Sequence, residues 1–194
     1  MDGFQKRTKL KQNRILEAAL QLFSLFGIKK VSISEIAKKA EVSQVTIYNY
    51  FESKDNLIHQ TLVYYIEKTY QKYQDIINRN TSFPEKIENI IFNKVDIAGS
   101  IHQEIYQYLM KDFADGQSYL ETIYQEKSIP FFQQLIAQGK TEGYIQKEIS
   151  EEAIMFYIHM MKEHMQKEEL NDYLLPITED IMHLFFYGIM GKKE

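Results

Sequence analysis

The chain has 194 residues, of which 44% are hydrophobic, carries a formal net charge of −4 and contains no cysteine. This length accommodates one or two domains with an apolar core, while the lack of cysteine excludes disulfide bonds and cysteine-ligated zinc. The charge is uneven, because residues 1–54 hold ten Lys/Arg and five Asp/Glu whereas residues 55–194 hold thirteen and twenty-two; this favours contact with a polyanion at the basic end, although chance clustering of solvated charges gives the same pattern.

The first predicted element is a helix over Thr8–Phe26, where apolar residues recur at helical spacing. Gly27 follows as a C-terminal stop, since glycine adopts the left-handed conformation at little cost. Ser32 and Glu35 have the spacing of a capping box, which predicts a second, short helix over Ile33–Ala40.

The third predicted helix, Gln44–Tyr50, follows Ser43 as its N-cap. Ser53 then caps a long fourth helix, Lys54–Ile77, whose apolar positions again form one inner face.

A fifth helix is predicted over Phe83–Ala98, because Ser82 and Glu85 fit a capping box and Pro84 is allowed in a first turn. The sixth is predicted over Ile101–Phe113.

In the segment 117–141, Pro130 must start or kink a helix, since it lacks a backbone donor. Two last helices are predicted over Ser150–Gln166 and Tyr173–Met190. The expected fold is all-α with about nine helices, and no internal repeat is evident.

The second and third helices together have the pattern of a helix-turn-helix. Ala37 is small where two such helices cross, Val42 fills the turn, and Ile47 anchors the third helix to the core. Such a third helix fits the major groove of DNA, where Gln and Asn pair with adenine edges and Thr or Val methyls touch thymine. The alternative is an ordinary pair of helices in a larger bundle.

The candidate DNA-binding residues divide into base-edge and phosphate contacts. Tyr48, Ser32 and Lys54 are suited to phosphate oxygens, and helix N-termini add free amides. The full candidate set is Ser32, Ser43, Gln44, Val45, Thr46, Tyr48, Asn49, Tyr50 and Lys54.

The run from Ile15 to Leu57 resembles the DNA-binding domain of the TetR family of bacterial transcriptional repressors, and its most specific piece is IYNYFESKDNL. Two residues depart from the family pattern, because Glu41 and Val45 stand where the family usually or often has glycine. If Glu41 is left-handed, its side chain costs roughly 1–2 kcal/mol, which the surrounding packing could absorb. Val45 affects which operator sequence is read. The matching positions are Ala18, Leu22, Phe23, Gly27, Ile36, Ala37, Ala40, Val42, Ser43, Thr46, Ile47, Tyr48, Tyr50, Phe51, Lys54 and Leu57.

The resemblance implies a DNA-binding domain over residues 8–68 and a ligand-binding and dimerisation domain over residues 69–194. It also implies a homodimer formed by the last two helices, which are apolar around much of their circumference and need burial on more than one side. Burial within one protomer is the alternative. The interface candidates are Ile154, Tyr157, Ile158, Met161, Ile181, Leu184, Phe185 and Ile189.

A pocket for an effector is expected in the acidic half, with aromatic and methionine walls suited to a flat or flexible apolar ligand. Most of these candidates are expected to be ordinary core residues, because an aromatic stripe at helical spacing is usually core. They are Tyr65, Thr69, Tyr73, Ile91, Val95, Tyr106, Leu109, Met110, Phe113, Phe131, Phe132, Leu135, Met155 and His159.

The leading hypothesis is a repressor that binds a pseudo-palindromic double-stranded DNA operator as a homodimer and is released by an unknown small-molecule effector. A helical enzyme or small-molecule-binding protein with a vestigial helix-turn-helix is the second hypothesis, and activation instead of repression is a third. No catalytic constellation, cofactor or metal site is predicted. His159 and His164 are five residues apart, a poor fit to one helical face, and His159 with Glu163, four apart, is a lone pair of the kind that more often forms a surface hydrogen bond. The polar N-terminus and the lack of a long apolar run predict a cytoplasmic protein with no membrane span.

Overall fold

The structure is a computed structural model that describes residues 3–114, 119–165 and 174–189. Its chain divides into two compact units. Unit 1 comprises Met1–Lys68 and Ile101–Tyr106, and unit 2 comprises Thr69–Ser100 and Gln107–Glu194. The segment Ile101–Tyr106, which the sequence assigns to the second domain, therefore packs with the first.

The chain is all-α, as predicted, and its described part contains no β-strand. About nine helices were expected, and nine are found within that part if the continuous helical run 119–141 is counted once. No described helix combines the length and the apolar character that crossing a bilayer requires. The elements are α1 (Gly3–Phe26), α2 (Ile33–Ala40), α3 (Gln44–Phe51), α4 (Lys54–Ile77), α5 (Phe83–Ser100), α6 (Gln103–Ala114), α7 (Tyr119–Ile123), a π-helical turn (Tyr124–Ser128), α8 (Ile129–Thr141), α9 (Glu151–Met165), a 3₁₀ turn (Leu175–Ile177) and α10 (Thr178–Ile189).

Several predicted helix ends were wrong by a few residues. The first helix begins at Gly3 and not at Thr8, because its polar first turns carry no apolar stripe to mark them. The sixth begins at Gln103, after Ile101 and His102, and not at Ile101. The predicted ends at residues 166, 173 and 190 lie outside the described residues.

Unit 1 is built around the apolar stripe of α1, with α2 packed against α1 and α3 packed against α2. Ile15, Ala19 and Phe23 of α1 are fully buried, as are Ile36 of α2 and Leu57 of α4. This core fixes the three N-terminal helices as one rigid body on which surface side chains can be presented.

Unit 2 has its own apolar core, in which α10 packs against α5 and α8 packs against α9. Lys86 of α5 is buried in it and donates a hydrogen bond of 2.8 Å from Nζ to the carbonyl oxygen of Ile77, the last residue of α4. The core residues are Tyr73, Ile76, Ile77, Phe83, Ile87, Ile90, Ile91, Phe131, Leu135, Ile136, Ile145, Ile154, Ile158, Phe185 and Phe186.

Candidate nucleic-acid interface

The start of α2 is fixed by the capping box that the sequence predicts. The amide of Glu35 donates to Ser32 Oγ at 3.2 Å, and Glu35 Oε2 accepts from the amide of Ser32 at 2.7 Å. The Ser32 hydroxyl and amide hydrogen bonds lower the pKa of the Glu35 carboxyl. Two backbone N–H groups are thereby satisfied at the N-terminus of α2, which fixes the start of this helix. Ser32 is exposed there.

The turn from α2 to α3 contains a left-handed residue that is not glycine. Glu41 has φ 55° and ψ 47°. Arg14 of α1 holds this turn, donating from Nη2 to Glu41 Oε2 at 2.7 Å and to the Ala40 carbonyl at 3.2 Å. The amide of Val42 donates to the Ala37 carbonyl at 3.0 Å, which closes the turn.

Helix α3 is anchored at its first turn and along one face. Ser43 caps it, accepting from the amide of Thr46 at 3.1 Å. Ile47 and Phe51 are buried, at 1% and 4% exposure. These contacts fix the rotation of α3 about its axis and therefore determine which side chains face outward.

Most residues of the predicted DNA-binding set are exposed on α3 or at its N-cap. Ser43, Gln44, Val45, Tyr48 and Asn49 are exposed, Val45 at 67% and Tyr48 at 47%. A row of short polar groups and one isopropyl group on a fixed helix is suited to reading base edges in a major groove.

Three predicted residues are less open than the rest. Thr46 is half-buried and its Oγ1 lies 2.9 Å from Ser43 Oγ, a bond internal to the cap. Tyr50 is half-buried, with its ring edge-on to Phe51 at 6.4 Å between centroids. Lys54 is half-buried at the start of α4. We expect these three to support or flank the contact surface.

A contact that the sequence did not reveal fixes the loop between α1 and α2. Glu104 of α6, which belongs to unit 1, accepts a hydrogen bond of 2.9 Å from the amide of Lys29 to its Oε2. That bond lowers the pKa of the Glu104 carboxyl. Gly27, at φ 82°, lies close beneath His102 and Glu104. No local pattern signals a contact between residues 75 positions apart.

Helices α1 and α4 are also tied by a polar cluster within unit 1. Glu17 Oε2 accepts from the Tyr64 hydroxyl at 2.7 Å and from Lys68 Nζ at 2.9 Å. The hydrogen bond from Lys68 is the main cause of the lowered pKa of Glu17. Desolvation and the neighbouring carboxylate raise the pKa of Tyr64 to about 12.

The predicted pocket residues are not all in one unit. Tyr65 and Tyr106 belong to unit 1, and the rest belong to unit 2. Ile91 and Val95 line an open groove of about 220 Å³ between α5 and α10, together with Glu88, Phe92, Glu179, His183 and Tyr187. Tyr73, Phe131 and Leu135 are core residues, and Leu109 is buried. Thr69, Phe132 and Met155 are partly buried. The side chains of Met110 and Phe113 lie outside the described residues.

His159, the last pocket candidate, forms part of a polar cluster at the π-helical turn. Its Nδ1 lies 2.9 Å from the Tyr124 hydroxyl, and Lys162 Nζ stands 4.0 Å from the centroid of the Tyr124 ring. Lys162 also bonds Glu121 at 2.5 Å. Desolvation is the main cause that raises the pKa of Tyr124 to about 12.

The interface candidates of α9 and α10 differ in their exposure, and only Tyr157 and Leu184 among them are exposed in the described part. Ile154, Ile158 and Phe185 are buried within the protomer at 2–6% exposure, so they cannot present a surface to a partner. Met161 and Ile181 are half-buried, and Ile189 has its side chain outside the described part. The exposed apolar face of these helices consists of Phe156, Tyr157, Met160, Leu184 and Tyr187.

The N-terminal part of the chain matches a known protein family. Residues 15–61 match the family described as bacterial regulatory proteins, tetR family. Two curated relatives from Bacillus subtilis (strain 168) are uncharacterised HTH-type transcriptional regulators: YuxN is 38% identical over 74 residues, and YvdT is 31% identical over 122 residues. The matches cover 38% and 62% of this chain, but only 25% and 62% of those two proteins.

The fold is also similar to that of solved regulators. The structure of the transcriptional regulator FadR from Bacillus subtilis in complex with stearoyl-CoA aligns with a TM-score of 0.58 at 18% identity. The alignment covers 91% of this chain and 98% of that one. At this identity the likeness establishes a shared fold.

Proposed function

We propose that the chain is a member of the TetR family of bacterial regulatory proteins, which the match over residues 15–61 supports, and that it is a sequence-specific DNA-binding transcriptional regulator that represses its target genes. The observation that carries the proposal is the exposed row Gln44, Val45, Tyr48 and Asn49 on a helix fixed by Ile47 and by the Ser43 cap. Gln44 and Asn49 supply directed donors and acceptors for base edges, and Tyr48 and Lys54 supply phosphate contacts.

The charge distribution supports the same function. Unit 1 carries exposed cations on α1, on the loop after it and on α2, which include Lys11, Lys29, Lys30, Lys38 and Lys39. Their field attracts the phosphate backbone independently of sequence, while the face of α3 selects the site.

We propose that the working unit is a homodimer. A symmetric pair presents two copies of α3 to major grooves about 34 Å apart on one face of the duplex. The exposed apolar side chains Phe156, Met160, Leu184 and Tyr187 on α9 and α10 form the surface that an isologous partner would cover.

We further propose that a small apolar or aromatic effector bound by the cytoplasmic protein releases the operator. The stearoyl-CoA in the complex of the similar regulator supports an effector of this kind. Helix α4 begins in unit 1 and ends in unit 2, and within unit 1 its Tyr64 and Lys68 bond Glu17 of α1. A shift of α4 would therefore displace α1.

The experiment that tests this function is binding to duplexes selected from a random pool, compared among three variants. We expect Gln44→Ala and Asn49→Ala to relax sequence preference, by about 1–3 kcal/mol at the contacted base pair. Lys54→Ala should weaken binding to all sequences and reduce the salt slope by about one. Equal loss on every sequence from all three variants would contradict the assignment of base contacts to α3.

A further inference from the structure

A lysine occupies the core-facing side of α5. Phe83, Ile87 and Ile90 of this helix are buried at 1–3% exposure and follow one another at helical spacing. Lys94 stands one turn beyond Ile90 on that same side. A position in this register usually holds an apolar side chain, so the ammonium group needs an explanation.

The Lys94 ammonium is directed at a buried aromatic ring in unit 2. Its Nζ lies 5.3 Å from the centroid of the Tyr73 ring. Tyr73 is only 8% exposed, and its ring packs against Phe131 with centroids 6.0 Å apart. The contact is a cation–π interaction at an apolar wall, and it supplies only part of the solvation that the cation loses.

Lys94 is nevertheless open to space large enough for solvent. Its side chain keeps a large accessible surface, whereas the surrounding protein atoms lower the pKa of its ammonium by desolvation. A side chain that lines a recess within the unit has both an accessible surface and many protein atoms around it. Among the residues that the structure describes, no carboxylate forms an ion pair with it.

We propose that Lys94, on the Tyr73 ring, is the counter-ion for the effector, and that the effector is an apolar acid with a single carboxylate. The proposal rests on the proposed function in that it assumes a ligand-responsive regulator, and it specifies the ligand's chemistry. A carboxylate forms a short, charge-assisted hydrogen bond with the ammonium. The buried ring of Phe131, which packs against Tyr73, is suited to the apolar remainder.

The charge count favours one acidic group over a head group with several phosphates. One lysine supplies one positive charge, and each further unpaired anion in the recess would carry a desolvation cost. A free carboxylic acid is therefore favoured over a coenzyme A ester as the ligand of this chain.

The test is calorimetric binding of dodecanoate and naphthoate, below any micelle concentration, compared with their neutral amides. We expect at least one acid to bind the full chain about tenfold or more tightly than its amide, since a hydrogen bond to a charged group contributes about 1.5–3 kcal/mol. Lys94→Met should reduce this preference to about twofold or less by weakening the acid alone, and Lys94→Arg should restore it in part.

A matched control is Lys72→Met, which removes an exposed lysine next to Tyr73 and should leave the preference unchanged. Melting curves of all variants without ligand establish that they fold. Should Lys94→Met fail to fold, Lys94→Gln takes its place as the uncharged variant, with the same expected loss of the acid preference.

Failure of both acids to bind, or an acid preference that survives in Lys94→Met, overturns the counter-ion assignment. Operator binding is measured on the same samples without ligand. A chain that binds duplex but neither acid contradicts only this inference, whereas a chain that binds an acid through Lys94 but no duplex contradicts the proposed function.

Discussion

Arg14 of α1 and Glu41 in the helix-turn-helix are joined by a hydrogen-bonded ion pair of 2.7 Å between Nη2 and Oε2. The same guanidinium group binds the carbonyl of Ala40. Glu41 has a left-handed backbone that glycine would adopt without strain. The ion pair therefore offsets part of the conformational cost of a left-handed glutamate, and it ties the turn to α1.

Replacing Glu41 with glycine should stabilise the protein. The left-handed conformation costs a side chain about 1–2 kcal/mol, whereas an exposed ion pair contributes only about 0.2–1 kcal/mol. We expect Glu41→Gly to raise the free energy of unfolding by about 0.5–1 kcal/mol in urea titrations. Glu41→Ala, which keeps the strain and loses the pair, serves as the control and should be less stable than the native chain. A Glu41→Gly variant no more stable than the native chain contradicts this account of the turn.

Two left-handed glycines allow the backbone strain of an alanine substitution to be compared with and without a steric clash of the added Cβ. Gly27 and Gly143 have φ of 82° and 78°. An added Cβ at Gly27 would stand 2.8 Å from His102 Cε1 and 3.0 Å from Glu104 Oε2, whereas nothing lies within 4 Å at Gly143. Alanine should cost about 1–2 kcal/mol at Gly143 and about 1 kcal/mol more at Gly27. Thermal unfolding measures the loss of stability in both variants. Equal losses at Gly27 and Gly143 would contradict the predicted clash at Gly27.

The buried Lys86 makes a prediction about unit 2. Its ammonium satisfies the Ile77 carbonyl at the end of α4. Lys86→Met preserves the length of the side chain but leaves that carbonyl unpaired, so we expect a loss of about 1.5–3 kcal/mol in urea unfolding. Lys111→Met, at an exposed lysine of α6, is the matched control and should change stability little. A Lys86→Met variant as stable as its control would mean that the bond contributes no net stability.

The cluster of Glu17, Tyr64 and Lys68 predicts a pH dependence. Because the pKa of Glu17 is lowered on folding from 4.5, its ionised form stabilises the native state above that value, and this contribution is lost as the pH falls through the folded pKa. Glu17→Gln should therefore be less stable at neutral pH, by under about 1 kcal/mol since the group is partly exposed, and the difference should shrink below about pH 4. A difference that stays constant between neutral and acid pH rules out this titration.

Local chemistry explains why much of unit 1 could be predicted from sequence. Ser32 with Glu35, Ser43 and Gly27 act on backbone groups within four residues, so their spacing alone indicates the helix ends. The buried positions Ile36 and Ile47 follow from helical periodicity. The outward face of α3 then follows, because an anchored helix leaves only one face free.

The remaining features depend on contacts or geometry that no short pattern records. Glu104 reaches the Lys29 amide across 75 residues. The π-helical turn ends just before Pro130, where the amide of Ile129 bonds the carbonyl of Tyr124, and the sequence indicated only a start or kink there. Helix α9 is apolar on several faces, because buried Ile154 and Ile158 share it with exposed Phe156. Its sequence pattern therefore does not indicate which face is buried within the protomer. Lys94 does carry a local signal, which is its place in the apolar register of α5.

The most direct test of the central claim measures two properties of the complex with a selected duplex: its mass, and the dependence of the binding constant on salt concentration. We expect the native chain to enrich a pseudo-palindromic sequence and to bind it with an even number of protomers per site. The logarithm of the binding constant should fall linearly with the logarithm of salt concentration, with a slope of about −0.9 per phosphate neutralised. A chain that stays monomeric and binds no duplex at low ionic strength would contradict the account.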